Sequence, residues 1–480
     1  MPPSIVWFRQ DLRLADNPAL DASSRAGPVV PVYVWSPGEE GDWPLGAASR
    51  WWLHRSLQSL DADLRSRGSR LIIRSGPAAE ALTDIARAAG ADAVHWSRRY
   101  EPAAAAQDER VRRRLAELGL RARAYGGSLL TEPGDLVTGS GDPYRVFTPF
   151  YRAALQTMPP ARPLPAPSRL DAPVDWPVAE PLASLKLEPA RPWHAGMRAA
   201  WQPGEAGAIA ALHAFVAERL LHYAEARDVP GLGGVSRLSP HLHFGEISPR
   251  QVWAAADGMP GAEPFLRQLM WREFSYHLLV RYPRSPIEPL RSEFAEMPWR
   301  DDEAGIMAWQ RGRTGYPMVD AAMRELWRTG WMHNRARMLA ASFLTKHLLL
   351  PWQEGARWFW DTLVDADLPN NTQGWQWTAG TGADAAPYFR IFSPITQGER
   401  YDTGGAYVRE WVPELAGLAD EWVHRPWEAP ADVLHHAGVR LGETYPEPVV
   451  DHAVARRRAL RAYQSVRIRR AANPSRRDRP

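Results

Sequence analysis

Ile5-Val6-Trp7-Phe8 begins a series of short apolar runs that decides the fold of the first part of the chain. Three further runs are residues 29–35, Leu71-Ile72-Ile73 and Ala93-Val94-His95-Trp96. Amphipathic stretches such as 48–67 and 78–89 separate the runs. Strands that alternate with helices in this way are typical of a parallel sheet with helices on both faces. The sequence therefore predicts a doubly wound α/β domain over residues 1–130.

The pattern changes after this domain. Residues 131–204 are rich in proline, and we interpret them as an interdomain linker that runs over the surface. From residue 205 to residue 455 apolar side chains recur with helical spacing, which predicts a mostly α-helical second domain. Residues 456–480 begin with three arginines and are predicted to form a basic tail.

The composition of the 480 residues excludes several classes of protein. Hydrophobic residues make up 45% and charged residues 24%, which are values of folded globular chains. We see neither an apolar run of membrane length nor a signal peptide, so we expect a cytoplasmic protein with no membrane partner. With no cysteine there is no disulfide, thiolate nucleophile or cysteine-bound metal, and we predict no metal site. No G-x-G-x-x-G motif follows any predicted strand, which argues against a nicotinamide site.

Arginine and tryptophan dominate the side chains that can bind ligands. The only lysines are Lys186 and Lys346, and there are 23 tryptophans. Arginine suits bidentate contacts to phosphate, and tryptophan can stack on flat ligands. The net charge of +3 permits a polyanionic partner without requiring one.

Four blocks of sequence carry the strongest functional signal. They are Trp7-Phe8-Arg9-Gln10-Asp11-Leu12-Arg13, Gly234-Val235-Ser236-Arg237-Leu238-Ser239-Pro240, the stretch 314–335, and the stretch 365–390 that contains Asn371-Thr372-Gln373-Gly374-Trp375-Gln376-Trp377. In this order they resemble the photolyase/cryptochrome family, and most of all its class I-type cyclobutane pyrimidine dimer photolyases. The resemblance covers nearly the whole chain. It implies an antenna-type α/β domain, a long connector and a helical domain that binds FAD and DNA.

The resemblance also implies which residues contact FAD. They are Tyr223, Ser236, Arg237, Leu238, Ser239, Arg337, Asp365, Asp367 and Asn371. The hydroxyls of Ser236 and Ser239 suit a diphosphate, although Ser239-Pro240 also fits an ordinary helix start. Asp365 is expected to pair with Arg337 beside the flavin ring, whereas Asp367 also fits a surface turn. Asn371 falls where the family places the residue that faces flavin N5, and a neutral amide there favours the fully reduced flavin.

Further residues are similar to those with which the family contacts a damaged DNA strand. They are Arg227, Gln268, Trp271, Arg272, Asn334, Arg335, Met338 and Trp377. In the family's reaction an excited, reduced flavin gives an electron to a flipped-out pyrimidine dimer, whose ring then splits. Asn334 and Met338 stand where enzymes that repair (6-4) photoproducts carry histidines, which argues against that chemistry.

Two functions therefore stay open. The first is light-driven, FAD-dependent repair of cyclobutane pyrimidine dimers by a deoxyribodipyrimidine photolyase. The second is a cryptochrome-like blue-light photoreceptor. Gln268 favours the photoreceptor, because dimer-repair enzymes usually have glutamate there, while Asn334, Met338 and Asn371 favour the repair enzyme.

Electron supply and light harvesting are less well determined. Trp375, Trp352 and Trp299 match the family's chain of three tryptophans between flavin and surface. For the antenna chromophore, residues 103–105 are alanines where folate-binding relatives present polar ligands. A folate antenna is therefore not supported, and the identity of the antenna chromophore stays open. We expect the protein to be a monomer.

Overall fold

A computed structural model describes residues 1–189, 191–384 and 389–472. The chain divides into two compact units, each with its own core. The first unit comprises residues 1–224, 236–283 and 364–369. The second comprises residues 225–235, 284–363 and 370–480.

The first unit contains a five-stranded parallel sheet. Its strands are β1 (Ser4–Phe8), β2 (Val29–Trp35), β3 (Ile72–Ser75), β4 (Ala93–Ser97) and β5 (Arg121–Tyr125). Their order is β3-β2-β1-β4-β5, and every neighbouring pair is parallel. The sequence therefore predicted the doubly wound sheet correctly, and the α/β class is confirmed.

Burial explains why the sequences of β1 and β2 are continuous apolar runs. All five residues of β1 are buried, as are six of the seven residues of β2, because helices cover the sheet. The rings of Trp7 and Trp96 on neighbouring strands lie 6.0 Å apart within this core. Strand β5 was not predicted from the sequence. It is an edge strand that pairs only with β4, and its alternating arginines leave it partly exposed, so it lacks an apolar run.

The first unit also contains the helices that follow the sheet strands. They are α1 (Pro18–Ala26), α2 (Ala47–Ser66), α3 (Ala78–Ala89), α4 (Pro102–Glu117), α5 (Phe147–Leu155), α6 (Ala195–Ala200), α7 (Glu205–Glu218), α9 (Ser239–His243), α10 (Pro249–Ala256) and α11 (Ala262–Arg281). The short helix α8 (Tyr223–Ala226) begins in the first unit and ends in the second. Side-chain hydrogen bonds define where two of these helices begin. Asn17 accepts from the Leu20 N–H to cap α1, and Ser248 forms a capping box with Gln251 at α10.

The first of the four sequence blocks, residues 7–13, has a structural role. Arg13 is buried and donates to the carbonyl of Gly245, and the Leu12 N–H donates to the carbonyl of Phe244. Gly245 has φ +64°, and a Cβ there would lie 2.1 Å from the carbonyl oxygen of Gln10. A glycine is therefore needed where the segment after β1 packs on the segment after α9.

The second unit is helical. Its elements are α12 (Glu303–Gln310), α13 (Pro317–Thr329), α14 (Asn334–Ser342), a π-helix (Phe343–Leu348), α15 (Trp352–Thr362), α16 (Leu368–Ala379), α17 (Pro394–Tyr401), α18 (Ala406–Trp411), α19 (Ala431–His436) and α20 (His452–Ala472). Helix α16 begins with two residues assigned to the first unit. This content confirms the predicted helical second half.

Helix α20 differs from the predicted basic tail. Residues 456–472 are helical, and Ala455, Ala459, Ala462 and Val466 are buried along one side. That side packs in a cluster with Phe294 and its neighbours. The arginines dominated the sequence pattern, while the small apolar residues at helical spacing were overlooked. In the described ranges, none of the helices is long and apolar enough to cross a membrane.

Candidate functional site

The segment 234–240 has the backbone of a ligand-binding turn. Arg237 adopts φ +54°, a left-handed conformation that is costly for a residue with a side chain. Its guanidinium lies 4.2 Å from the ring centroid of Trp201. Leu238, which is buried, occupies the N-cap position of α9, so Ser239 is the first helical residue and does not act as the cap. Ser239 is exposed and Ser236 is half-buried, and the Ser236 hydroxyl accepts from the Leu238 N–H at 3.4 Å.

Two predicted cofactor residues of the first unit are also buried. Tyr223 packs edge-on against Phe215 and Phe265, with ring centroids 5.7 and 5.5 Å away. Asp365 is only 7% exposed, a burial expected for a carboxylate that has a ligand or ion-pair role.

Asp367 is buried rather than placed on a surface turn. Its Oδ2 accepts from the hydroxyl of Tyr276 at 2.6 Å and lies 3.4 Å from Nδ1 of His243. Burial by itself would raise the pKa of this carboxyl, but the bonds and charges of His243, Arg272 and Tyr276 hold that pKa well below its usual range. The group is therefore a fixed anion inside the first unit.

A small cavity lies next to this cluster. It sits beyond the carboxyl ends of β1 and β4, where the strand order of a doubly wound sheet reverses. Its lining is formed by Gln10, Arg98, Arg99, Tyr100, Glu101, Ser128, Leu242, His243, Arg272 and Tyr276. Arg98 and Arg99 are already paired with Glu132 and Glu101, so the cavity wall is internally neutralised.

Helix α11 presents three of the predicted DNA-contacting residues. Trp271 is half-buried and stacks on Phe147 of α5, with ring centroids 3.6 Å apart and planes 8° apart. Gln268 is also half-buried, and its amide donates to the carbonyl of Pro264 at 3.4 Å. Arg272 donates from its guanidinium to the carbonyl of Ser128 and lies 3.3 Å from Glu273. Its contact with DNA stays a prediction.

Helix α14 in the second unit brings Asn334 and Met338 together. They lie one turn apart, and the Asn334 amide approaches the Met338 sulfur at 3.7 Å. Arg335 forms an ion pair with Asp228 at 2.8 Å, next to the half-buried Arg227. His333 is the N-cap of α14, so it precedes the helical residues Asn334 and Met338. Its Nδ1 accepts from the Arg335 N–H, and burial lowers its pKa to about 4, so it is neutral at pH 7.

Helix α16 carries Asn371, Trp375 and Trp377. The Asn371 amide donates to the carbonyl of Ala356 at 3.0 Å, which leaves its side-chain oxygen as an acceptor. Trp375 is buried, and a Cβ on Gly355 of α15 would lie 2.0 Å from its Cη2 atom. Trp377 is half-buried near the end of the helix.

The three predicted electron-transfer tryptophans differ in exposure. Trp375 and Trp352 are buried, while Trp299 is half-buried against the cluster that includes Phe294. Among the described residues, no ring contact joins these three tryptophans. Trp375 instead contacts Phe359 and Trp309, with ring centroids 4.9 and 6.1 Å away. The proposed order of electron transfer stays a prediction.

Comparison with known proteins decides the family. A family model described as DNA photolyase matches residues 4–168, and one described as the FAD binding domain of DNA photolyase matches residues 265–465. A deoxyribodipyrimidine photo-lyase from Agrobacterium fabrum is 49% identical over 473 residues, which are 97% of this chain and 98% of the relative. The chain belongs to the photolyase/cryptochrome family. The predicted family is thereby confirmed.

Two further relatives define where the chain lies within the photolyase/cryptochrome family. Cryptochrome-2 of Arabidopsis thaliana is 40% identical over 97% of this chain and 79% of the plant protein. The crystal structure of a class III photolyase from Agrobacterium tumefaciens matches with a TM-score of 0.95 and 49% identity, over 97% of this chain and 98% of that one. The sequence predicted a class I-type enzyme, and this similarity to a class III photolyase corrects the predicted class.

The residues present fit the FAD that the family's second domain binds. The block 234–240 contains two serine hydroxyls and an arginine but no carboxylate, a composition that suits a diphosphate. Within the described residues, the buried indole Nε1 of Trp375 has no hydrogen-bond partner, so it remains available to an acceptor on a ligand. Arg337 of α14, the predicted partner of Asp365, donates from Nε to the carbonyl of Met332, which fixes its guanidinium.

Several residues that shape these photolyase helices were missed by the sequence analysis. Gln376 is 1% exposed and donates to the carbonyls of Ser285 and Glu288. Phe147 lay in the predicted linker and had no helical pattern long enough to mark it. Gly355 could have been noticed as a glycine inside a strong helical pattern, which often marks close packing.

Proposed function

We propose that the protein is a class III-type, light-driven photolyase that splits cyclobutane pyrimidine dimers in DNA. The observation that carries the proposal is the near-complete, 49% identical match to a named deoxyribodipyrimidine photo-lyase. The half-buried rings of Trp271 and Trp377 support it, because such rings can receive unstacked bases. Photolyases are among the known base-flipping enzymes, and a damaged, poorly stacked base costs less to extrude than an intact one.

FAD is the proposed cofactor and, when reduced and excited by blue light, it supplies the electron that splits the dimer. Ser236, Arg237 and Ser239 would hold its diphosphate. Asn371 would face flavin N5, where its side-chain oxygen can accept a hydrogen bond, while one of its two amide N–H groups donates to Ala356. Trp375, packed tightly on α15, would exclude water beside the ring and pass electrons inward.

On the substrate side, we propose that Trp271 and Trp377 form apolar contacts to the dimer. Asn334 and Met338 would contact its base edges from α14, and Gln268 would donate or accept a hydrogen bond without changing charge. Arg335 and Arg227 both lie within ion-pair distance of Asp228, whose carboxylate neutralises part of their positive charge. The remaining positive charge would contribute to phosphate binding. We further propose a cytoplasmic monomer, whose monomeric state size-exclusion chromatography of the purified protein would test.

The alternative is a cryptochrome-like photoreceptor, which Gln268 and the similarity to a plant cryptochrome favour. One assay separates the two functions. The photoreduced protein is mixed with an oligonucleotide that contains one thymine dimer, illuminated with blue light, and the restored thymines are quantified by chromatography. We expect restoration with this substrate and none with a (6-4) photoproduct. Full flavin reduction without any restored thymine would favour the photoreceptor.

A matched pair of variants tests the substrate site. Trp271→Ala should weaken dimer binding in the dark by at least about fivefold, because stacking of one base on an aromatic side chain is worth roughly 1–3 kcal/mol. Trp327→Ala is the control, since Trp327 is 55% exposed on α13 and stacks on Trp358 instead. Equal dimer affinity of the wild type and Trp271→Ala would remove Trp271 from the site.

A further inference from the structure

Lys346 is a buried lysine that none of the proposed steps uses. It lies on the π-helix Phe343–Leu348 and is 1% exposed. Its Nζ donates to the carbonyl oxygen of Ala379 at 2.8 Å and lies 3.5 Å from the ring centroid of Phe389. Among the described residues, no carboxylate pairs with its amino group. Because Ala379 and Phe389 stand on either side of residues 380–388, one side chain contacts both ends of that segment.

The end of α16 explains why a hydrogen-bond donor is suited to this place. The backbone N–H groups of residues 380–382 all donate to the carbonyl of Gln376, at distances between 3.0 and 3.1 Å. The last carbonyl of the helix, that of Ala379, is left to Lys346. A side-chain N–H donor is favourable at a helix C-terminus, because the last carbonyls have no partner within the helix. Lys346 therefore caps the end of the helix that carries Trp377.

We propose that Lys346 is a positioning residue that clasps Ala379 and Phe389 together and thereby fixes Trp377 for contact with the dimer. The predicted effect on dimer binding rests on the proposed function. The contacts of Lys346 with Ala379 and Phe389 do not depend on it. Trp377 is only two residues from Ala379, so a displaced helix end would displace its half-buried ring. The aromatic face of Phe389 and the Ala379 carbonyl together replace the water that the amino group loses on burial.

The only other lysine of the chain, Lys186, is exposed and can serve as a control for Lys346. Burial lowers the pKa of Lys346 well below its ordinary value, whereas Lys186 lies on the surface of the first unit. Lys346→Met keeps the length and apolar stem of the side chain but removes the donor. Lys186→Met makes the same chemical change at a position without these contacts and is the matched control.

Limited trypsin digestion of the full-length protein tests the clasp directly. Arg390, the residue after Phe389, is exposed and offers a cleavage site next to the clasped Phe389. We expect Lys346→Met to be cut after Arg390 at least fivefold faster than the wild type, while Lys186→Met is cut at the wild-type rate. Cleavage of Lys346→Met at the wild-type rate would overturn the clasp.

The dark affinity of the same variants for DNA tests the consequence for binding. We expect Lys346→Met to bind a dimer-containing oligonucleotide at least fivefold more weakly, with its affinity for undamaged duplex within twofold of wild type. Equal weakening of both affinities would assign Lys346 to general stability and overturn the positioning role. If the wild type itself does not prefer the dimer, the proposed function fails, and the trypsin result alone decides the clasp.

A spectroscopic test works even if Lys346→Met does not fold. In full-length protein labelled with [ε-¹³C]lysine only two lysine signals arise, and the proximity of the Phe389 ring should move the Lys346 signal upfield. Phe389→Leu keeps the hydrogen bond to Ala379 but should return that signal toward the position of Lys186. Two unshifted signals in the wild type would overturn the contact on which the proposal rests.

Discussion

Trp271 lies flat on Phe147, with ring centroids 3.6 Å apart and planes only 8° apart. One face of the indole is thus covered by a ring from α5, and Tyr151 extends the stack behind Phe147. A ring held in this way loses little rotational freedom when a base stacks on its other face. The stack therefore supports a rigid surface for the dimer.

Phe147→Leu should weaken dimer binding in the dark by about three- to tenfold, because an aromatic pair contributes roughly 0.5–1.5 kcal/mol beyond its buried area. Fluorescence anisotropy with a dimer-containing oligonucleotide measures the effect. Phe150→Leu is the control, since it removes a ring from the same helix that contacts Phe274 and His277 but not Trp271. Equal losses in both variants would contradict a specific role for Phe147.

Gly355→Ala should disturb Trp375, because the added Cβ would lie 2.0 Å from the indole. Either the ring or α15 must move, and overpacking of this kind costs about 1–3 kcal/mol. We expect a lower denaturation midpoint together with slower photoreduction of the bound flavin. Gly374→Ala in α16 is the control, since it also removes a glycine from a helix and a Cβ there meets no atom within 4 Å. Wild-type photoreduction in Gly355→Ala would show that the position of Trp375 does not limit the rate.

The sequence predicted elements with strong periodicity and failed where the structure depends on contacts distant in the chain. Strands β1 and β2 were predicted because burial on both faces makes them apolar throughout. Strand β5 was missed because an edge strand needs no such run. The same contrast holds for the site. Ser236 could be named from its motif, whereas the role of Phe147 depends on a ring more than one hundred residues away, and no local pattern reveals that contact.

Glu273 should make the stability of the first unit fall as the pH rises. Burial raises the pKa of Glu273 to about 7, although the N–H groups of Leu130 and Thr131 and the charge of Arg272 oppose this effect. A raised pKa in the folded state gives stability that is present below the unfolded pKa near 4.5 and is lost as the pH passes through about 7.

Glu273→Gln removes this proton but keeps an oxygen for the same backbone bonds. We therefore expect the variant to gain stability relative to the wild type between pH 5 and pH 8, by up to about 3 kcal/mol. Urea denaturation of both proteins at the two pH values measures the difference. A constant difference between them at both pH values would mean that Glu273 does not change its protonation over this range.

Gln268→Glu tests the departure that most favours a photoreceptor. Gln268 is half-buried and makes a long hydrogen bond to Pro264 in its own helix, so a carboxyl group fits without breaking a network. A protonated glutamate can donate to a dimer oxygen and also change its charge, which an amide cannot do. We expect turnover under saturating blue light to rise severalfold with little change in dimer affinity.

Unchanged or lower turnover of Gln268→Glu at equal dimer binding would contradict this expectation. It would mean that the amide already supplies the hydrogen bond that repair requires. The control is Gln251→Glu, at the capping box of α10, which makes the same substitution at a helix start outside the predicted DNA-contacting residues.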